Sequence, residues 1–437
     1  MDPRAASSVS ATVVAAVRAG VDADTPRLTD IFTDIHAHPE LGFGETRTAA
    51  IVARELVSLG FDVTTGVGGT GVVGILRNGP GPTVMYRADM DANAVEEAPG
   101  LPYRSTMRVV RADGVEVPVA HMCGHDAHVT WMLGMAKAML GARTDWHGTL
   151  VIVAQPAEEL IAGARAMVED GLYSTYGVPV PHYLVALHTD AKPTGTISSG
   201  GGVRMAGTDQ LDVTVRGRGG HGAAPHLATD PVVMAAMAVL QYQTVVSRRV
   251  DPMQTAVLTV GAFQAGTDNN VIPGQALLKV NIRWFDTGIR ETLLDGIRDI
   301  NAGIARAHGL PESMIPTIAM KGGASALVND DALIDRLNVP LRTLLGSEAV
   351  VTEFPAVTGS EDCHLLKGEH SDIPLAYIFV GTADPERCAQ ARREGKDEPF
   401  SAHGPDYVVD PNAIPIGVMI ASVAVLELLS SASQPPA

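Results

Sequence analysis

Strand-like and helix-like pieces alternate along most of this chain, and the alternation breaks once, at the flexible run Ser198-Ser199-Gly200-Gly201-Gly202. Before the break, Thr25-Pro26 reads as an N-cap followed by proline at the first helical position, opening a helix towards His38-Pro39, and a second helix spans 45–59 and ends at Gly60. Short β-rich runs follow at 61–65, 72–76 and 83–87, then a helix at 126–140, a strand at 149–154 and another at 184–187 with His188 just beyond it. This order predicts a largely parallel sheet covered by helices. After the break the order is strand 210–216, helix 230–246, strands 256–264 and 275–284, helix 288–308 and strand 315–320. That is a split βαβ, ferredoxin-like unit. We read it as a smaller α+β domain, 204–320, inserted into a larger α/β domain made of 1–203 and 321–437, with the second hinge near Lys321-Gly322-Gly323. A helix at 331–345 and the C-terminal segments return to the larger domain. The larger sheet is expected to be mixed, mostly parallel, with helices on both faces.

Composition narrows the function. At 437 residues the chain exceeds one ordinary core. Its 46% apolar and 19% charged residues fit a folded protein rather than a disordered one. The net charge of -17 argues against nucleic acid as a partner, and no Lys/Arg cluster on an amphipathic segment suggests a membrane. Three cysteines, Cys123, Cys363 and Cys388, do not make a disulfide framework. The N-terminal apolar run is broken by Arg18 and makes a poor signal peptide, and 413–429 carries Pro415, Gly417, Ser422 and Glu427, as a buried terminal helix does. The expected location is the cytoplasm.

Chemistry concentrates in His121-Met122-Cys123-Gly124-His125-Asp126-Ala127-His128 and, thirty residues on, Gln155-Pro156-Ala157-Glu158-Glu159. Thiolate and imidazole suit a zinc-like ion, and a spare carboxylate beside such an ion can take a proton from water. Cys123 and His125 reach one ion from an irregular turn but point apart on a helix. A buried cysteine and a capping histidine would explain that pair alone about as well. Glu158 and Glu159 follow an apolar strand, so one can ligate while the other acts as base; a solvated strand end is the plainer reading. His188 and His403 would each pass as ordinary histidines. Together with Cys123, His125 and Glu159 they make five donors, enough for two ions. Asp89 and Asp91 end the strand at 83–87, where α/β folds place catalytic groups.

Other signatures fail. Gly217-Arg218-Gly219-Gly220-His221-Gly222 fits a dinucleotide fingerprint only in its glycines, because Pro225 intervenes before any helix; a turn presenting His221 is the better reading. Neither a Gly-x-Ser-x-Gly elbow nor a His-Glu-x-x-His helix occurs.

These motifs occur in order with Asp34-Ile35-His36-Ala37-His38-Pro39-Glu40-Leu41-Gly42, Arg87-Ala88-Asp89-Met90-Asp91-Ala92, Asn270-Val271-Ile272-Pro273 and Gly359-Ser360-Glu361-Asp362. The set resembles the amidohydrolase branch of the aminoacylase and carboxypeptidase G metallopeptidase family, which includes hippurate hydrolase and auxin-conjugate hydrolases. The resemblance implies a zinc-peptidase-like catalytic domain with a ferredoxin-like lid that also dimerises. It implies two divalent ions, Zn2+ or Mn2+ with Co2+ or Ni2+ as alternatives, on Cys123, His125, Glu159, His188 and His403. Glu158 would be the general base, Asp89 would orient a ligand, and His221 would stabilise the oxyanion. Asn270, Arg283 and Gly359 would hold the substrate, Arg283 suiting a carboxylate. The implied reaction is hydrolysis of the amide in N-acyl amino acids or similar small conjugates by a homodimer or higher homo-oligomer. A dipeptidase or carboxypeptidase of the same family, or a catalytically silent binding relative, are the alternatives. The chain departs from the family at Asn93-Ala94-Val95, in the charged segment 103–121 and at His403-Gly404-Pro405-Asp406, which bear on substrate preference.

Overall fold

The computed structural model describes residues 7–98 and 100–430. They form two compact units: one comprises the chain up to Gly202, Val328–Pro355 and everything from Asp362, the other Val203–Leu327 and Ala356–Glu361.

The larger unit is built on an eight-stranded mixed sheet, in the order Asp62–Val67, Gly71–Asn78, Gly148–Gln155, Thr83–Asp89, Tyr183–Pro193, Leu375–Ala383, Ile197–Ser198, Val350–Val351. The four central strands, from Gly148–Gln155 to Leu375–Ala383, pair in parallel, and antiparallel partners flank them on both sides. Thr83–Asp89 and Leu375–Ala383 are buried at every position, which is why they read as unbroken apolar runs rather than alternating ones. Helices Ala11–Ala37, His125–Gly141 and Ala413–Leu429 pack together, the last apolar all round and buried along its length. Parallel pairing brings the carboxyl ends of the central strands to one edge, with Asp89 opposite Gln155. That edge carries the chemistry described below.

Three local expectations are corrected. The first helix runs unbroken from Ala11 to Ala37 with Ser10 as its N-cap, so Thr25-Pro26 lies inside it. Pro26 removes one backbone donor, but the buried stripe Val17, Val21, Leu28, Phe32 and Ile35 holds the helix together on both sides of it. Lys321-Gly322-Gly323 is not a turn: it lies in strand Thr317–Ala324, where Gly322 and Gly323 pair with Gln210 and Asp209 across a bulge. His188 lies inside strand Tyr183–Pro193 rather than beyond its end.

The smaller unit is a four-stranded antiparallel sheet, ordered Ala256–Ala265, Gln275–Trp284, Gly207–Arg216, Thr317–Ala324. Alternate residues of its inner strands, among them Leu211, Val213, Leu278 and Val280, meet Met234, Tyr242, Leu293 and Ile297 of helices Pro231–Arg249 and Thr287–Ala307 in a separate core. Asp230 and Asp286 cap the two helices through their side chains. The whole is the α/β fold with an α+β ferredoxin-like unit that the element order predicts. Among the described residues no helix is long and apolar enough to cross a membrane.

Candidate metal centre

Cys123 ends an irregular segment and His125 opens helix His125–Gly141, with Gly124 between them at φ 78. A side chain at Gly124 would be strained by that φ, and its Cβ would fall 2.6 Å from Thr189 Oγ1 and 2.9 Å from the Tyr407 hydroxyl. The left-handed residue turns the Cys123 thiol off the helix axis towards the imidazole. Donor atoms of Cys123, His125 and Glu159 all lie within 4.8 Å of one another. Cys123 Sγ is 3.6 Å from His188 Nε2, and His403 Nε2 is 3.2 Å from Glu159 Oε1. The five side chains named as ligands from the sequence are therefore gathered at one place. Glu158 is 6% exposed, with Oε2 3.9 Å from His125 Nε2.

Neighbouring hydrogen bonds set which nitrogen can ligate. The His188 Nδ1–H donates to the Thr189 carbonyl at 2.7 Å, leaving Nε2 with a lone pair towards Cys123. Burial holds this imidazole down at about 3, so it is neutral. His128 has donors within 4.8 Å of those of Asp89, His125 and His188, yet both its nitrogens are engaged. Its Nδ1–H donates to Asp89 at 2.5 Å while Nε2 accepts from the Thr189 amide at 2.8 Å. It orients Asp89 and does not ligate. Asp89 also accepts from Arg87, wholly buried, at 2.7 Å, and Arg87 in turn donates to Gln155. Burial opposes an ionised Asp89, but Arg87, His125 and His128 outweigh it and hold the carboxyl well below its usual range.

Sequence reasoning named Asp91 without a role and missed three further supporting residues, Glu45, Thr189 and Tyr407. Asp91 accepts the amides of both Glu158 and Glu159, at 3.1 and 2.9 Å, and lies 3.3 Å from His125 Nδ1. Glu45 is fully buried and accepts from the Ala157 amide at 2.8 Å and from the Thr70 hydroxyl. Thr189 donates to the Cys123 carbonyl at 2.8 Å, and Tyr407 donates to the Thr189 hydroxyl at 2.7 Å. The Asp-Met-Asp spacing was a signal for Asp91, which lies two residues past the end of strand Thr83–Asp89. The other three carried no signal of their own, although Thr189 adjoins His188 and Tyr407 follows closely on His403.

The donor set fits cations. His125 Nε2 and Oε1 of Glu159 are buried without an aligned hydrogen bond, as expected of atoms aimed at a shared third body, while His125 Nδ1 faces Asp91. Hydrogen bonds towards Cys123 and Glu159 push His403 up to about 10, the mark of a site with surplus negative charge. Burial works against the Glu159 carboxylate, but His403 and His125 prevail and hold it down at about 2. One thiol, three imidazoles and a carboxylate are a borderline-soft set suited to zinc-like divalent ions.

The remaining predicted residues lie in the smaller unit. His221 ends the short strand Gly220–His221, paired with Val271–Ile272, and the Gly222 amide donates to the Asn270 carbonyl at 2.8 Å. The Ala223 amide donates to His221 Nδ1 at 3.0 Å, which leaves the proton on Nε2. Arg283 donates to Asn281 at 2.8 Å and to the Ser360 hydroxyl at 2.5 Å, and Ser360 adjoins Gly359.

Comparison with known proteins agrees with this geometry. A model of peptidase family M20/M25/M40 matches residues 85–420. Hippurate hydrolase from Campylobacter jejuni is 36% identical over 354 residues, 79% of this chain and 85% of that protein. IAA-amino acid hydrolase ILR1-like 2 of Arabidopsis thaliana is 33% identical over 402 residues, 92% of this chain and 85% of its own. The solved structure of Bacillus subtilis YXEP, described as a dinuclear metal binding peptidase from the M20 family, superposes with a TM-score of 0.70 at 25% identity, covering 93% of this chain and 99% of that one. With its fold and most of its length matched in this way, the chain belongs to the M20/M25/M40 peptidase family.

Proposed function

We propose that this chain is a metal-dependent amidohydrolase that splits the amide of N-acyl amino acids or similar small conjugates, releasing a carboxylic acid and a free amino acid. The observation that carries the reading is the convergence of Cys123, His125, Glu159, His188 and His403, with Glu158 beside them and its amide held by Asp91. We assign the five donors to two divalent ions, zinc by donor chemistry, with manganese, cobalt or nickel as supply dictates. Such ions supply Lewis acidity, which makes water acidic enough to be deprotonated near neutral pH and draws electrons from the amide carbonyl.

The side chains divide the remaining work. Glu158 takes the proton of the attacking water and returns it to the leaving nitrogen. Its backbone is fixed by Asp91, so the carboxylate is aimed before substrate arrives. Asp89, held by Arg87, orients the imidazole layer through His128. His221, whose Nδ1 accepts from the Ala223 amide, presents Nε2–H and is suited to donate a hydrogen bond to the tetrahedral oxyanion. Asn270, Arg283 and Gly359 take the amino-acid portion, with Arg283 pairing its carboxylate. We infer further that the inserted unit acts as lid and dimer surface and that the enzyme works in the cytoplasm as a homo-oligomer.

The test is a mass-spectrometric screen of the metal-loaded protein against N-acyl amino acids and dipeptides. Release of free amino acid from the acylated panel supports the reading. Turnover of dipeptides alone would make the chain a dipeptidase, and retained metal with no hydrolysis of any amide would make it a binding relative.

A further inference from the structure

His403 is the most exposed of the five donors: its side chain leaves 51% of its surface in water, against 16% for Glu159 and none for His125. It sits on a loop, 401–406, that is exposed at every position but Gly404. Its backbone is held at φ 62, and strain of that kind persists where surrounding structure enforces it. Two backbone hydrogen bonds reach the loop from elsewhere in the chain. The His403 amide donates to the Met122 carbonyl, beside Cys123, and the Ala98 amide donates to the Pro405 carbonyl, each at 2.7 Å.

Ala98 leads back to a buried ion cluster. Its neighbour Glu97 accepts from the Ser105 amide at 2.7 Å through Oε2 and from His36 Nε2–H at 3.1 Å through Oε1. The His36 Nδ1–H donates to Asp126 at 2.6 Å. Asp126 directly follows His125 in the first turn of helix His125–Gly141, and its other oxygen accepts from the Ala127 amide at 2.9 Å. All three side chains are buried, and the Tyr103 ring meets the imidazole edge-on at 5.1 Å. Burial opposes a charged ring, but Asp126 and Glu97 prevail and raise it to about 9. Charge-assisted hydrogen bonds away from water are the strong and directional ones.

We propose that His36 is a positioning residue for the metal centre: its imidazolium, clasped between Asp126 and Glu97, couples the helix that carries His125 to the segment that braces the His403 loop. The inference rests on the two-ion reading and adds to it how the one exposed donor is kept in place. It also gives a role to the Asp34 to Gly42 motif, which the reaction itself does not use. The link runs Asp126, His36, Glu97, Ala98, Pro405, so loss of the Glu97 carboxyl frees the His403 end while the His125 end keeps its own helix.

The test titrates zinc calorimetrically into the full, metal-free chain and follows hydrogen exchange of the peptide 401–407 without metal. Glu97→Ala should weaken one of the two ions by about 10- to 100-fold and leave the other within about threefold, and should speed exchange of the peptide by about 10-fold. Glu97→Gln keeps both contacts, its oxygen for the Ser105 amide and its NH2 for His36 Nε2 with the ring proton on Nδ1, and should stay within about threefold of wild type in both readouts. His36→Asn, too short to span both carboxylates, should act as Glu97→Ala does. Adding Glu97→Ala to His403→Ala should cost no further zinc affinity, because the ligand it braces is already gone; a lesion of general stability would weaken both ions and add to the loss. Equal weakening of both ions, additive losses, a Gln variant as damaged as the Ala variant, or unchanged exchange would overturn the clasp. A wild type that takes up fewer than two ions would sink the two-ion reading, and the exchange contrast between Ala and Gln, read without metal, would still decide the clasp.

Discussion

Glu45 offers the sharpest check on how the catalytic turn is held. Its carboxyl makes no cap bond to the helix Thr46–Ser58 that it precedes, so its substitution acts on the turn rather than on that helix. Glu45→Ala leaves the Ala157 amide, at a fully buried residue, without its acceptor and frees a backbone held at φ 47. An orphaned buried donor costs roughly 1–3 kcal/mol, and the strain it helps to sustain is about 1–2 kcal/mol. Relaxation of the turn by about 1 Å is enough to cost roughly 100-fold in rate, so we expect kcat to fall about 100-fold. Glu45→Gln keeps an oxygen for the Ala157 amide, and the Thr70 hydroxyl can reverse its role to accept from the new NH2. Burial already raises the Glu45 carboxyl above its usual range, so a neutral replacement loses little. That variant should stay within about fivefold of wild type, on the premise that one neutral-for-charged hydrogen-bond swap is worth about 1 kcal/mol. The assay is kcat at saturating substrate with metal content measured on the same samples, together with hydrogen exchange of the peptide containing Ala157. Equal damage from both substitutions, or an Ala variant of wild-type activity and exchange, would refute the claim that this carboxyl holds the turn.

Glu158→Gln should lower kcat by roughly 100- to 10,000-fold while metal content stays at the wild-type level; substantial residual turnover would remove Glu158 from the role of base. Gly124→Ala should lose metal affinity, because its Cβ would collide with Thr189 and Tyr407, and full metal occupancy with normal activity would contradict the role given to that turn. Asp24 provides a pH test remote from the metal centre. Burial raises its carboxyl, but Arg27 and Lys137 prevail and set it below 3.8, so its stabilising contribution is complete above that value and is lost as pH falls through the folded pKa. Wild type should therefore exceed Asp24→Asn in unfolding free energy by about 1 kcal/mol at pH 7, with the gap closing below about pH 4; a gap that is constant with pH would show that ion pairing is not its source.

Much of this architecture was legible in the sequence where one physical signal dominates. The helix Ala413–Leu429 and the helix Asp331–Leu345 lie at the bounds expected from the sequence, the first because its apolar stretch is buried along the helix. The βαββαβ order of the smaller unit was readable because its two inner strands alternate and each helix carries an aspartate cap. Misreadings arose where long-range packing overrides a local rule. Pro26 looks like a helix start, yet a buried stripe on either side carries the helix through it. Gly322-Gly323 looks like a hinge, yet both residues pair in a sheet with a strand over a hundred positions earlier.

The site divides in the same way. Cys123, His125, Glu159, His188 and His403 could be named before any geometry was known because the ordered motifs resemble a known family; residue type alone would leave His188 and His403 as ordinary histidines. What orients the donors could not be named. The Tyr407 to Thr189 to Cys123 chain joins residues 218 and 66 positions apart, and the Glu45 to Ala157 bond spans 112. These contacts exist only because the sheet order brings distant segments together, and nothing in local sequence encodes them.

The claim on which the rest depends is that five donors grip two cations. Elemental analysis of the purified chain combined with X-ray absorption at the edge of the bound metal tests it in one sample. The account predicts two divalent ions per chain, with one sulfur ligand and imidazole nitrogens in the scattering, and loss of the sulfur signal in Cys123→Ser. A single ion, or a first coordination sphere without sulfur in the wild type, would contradict it.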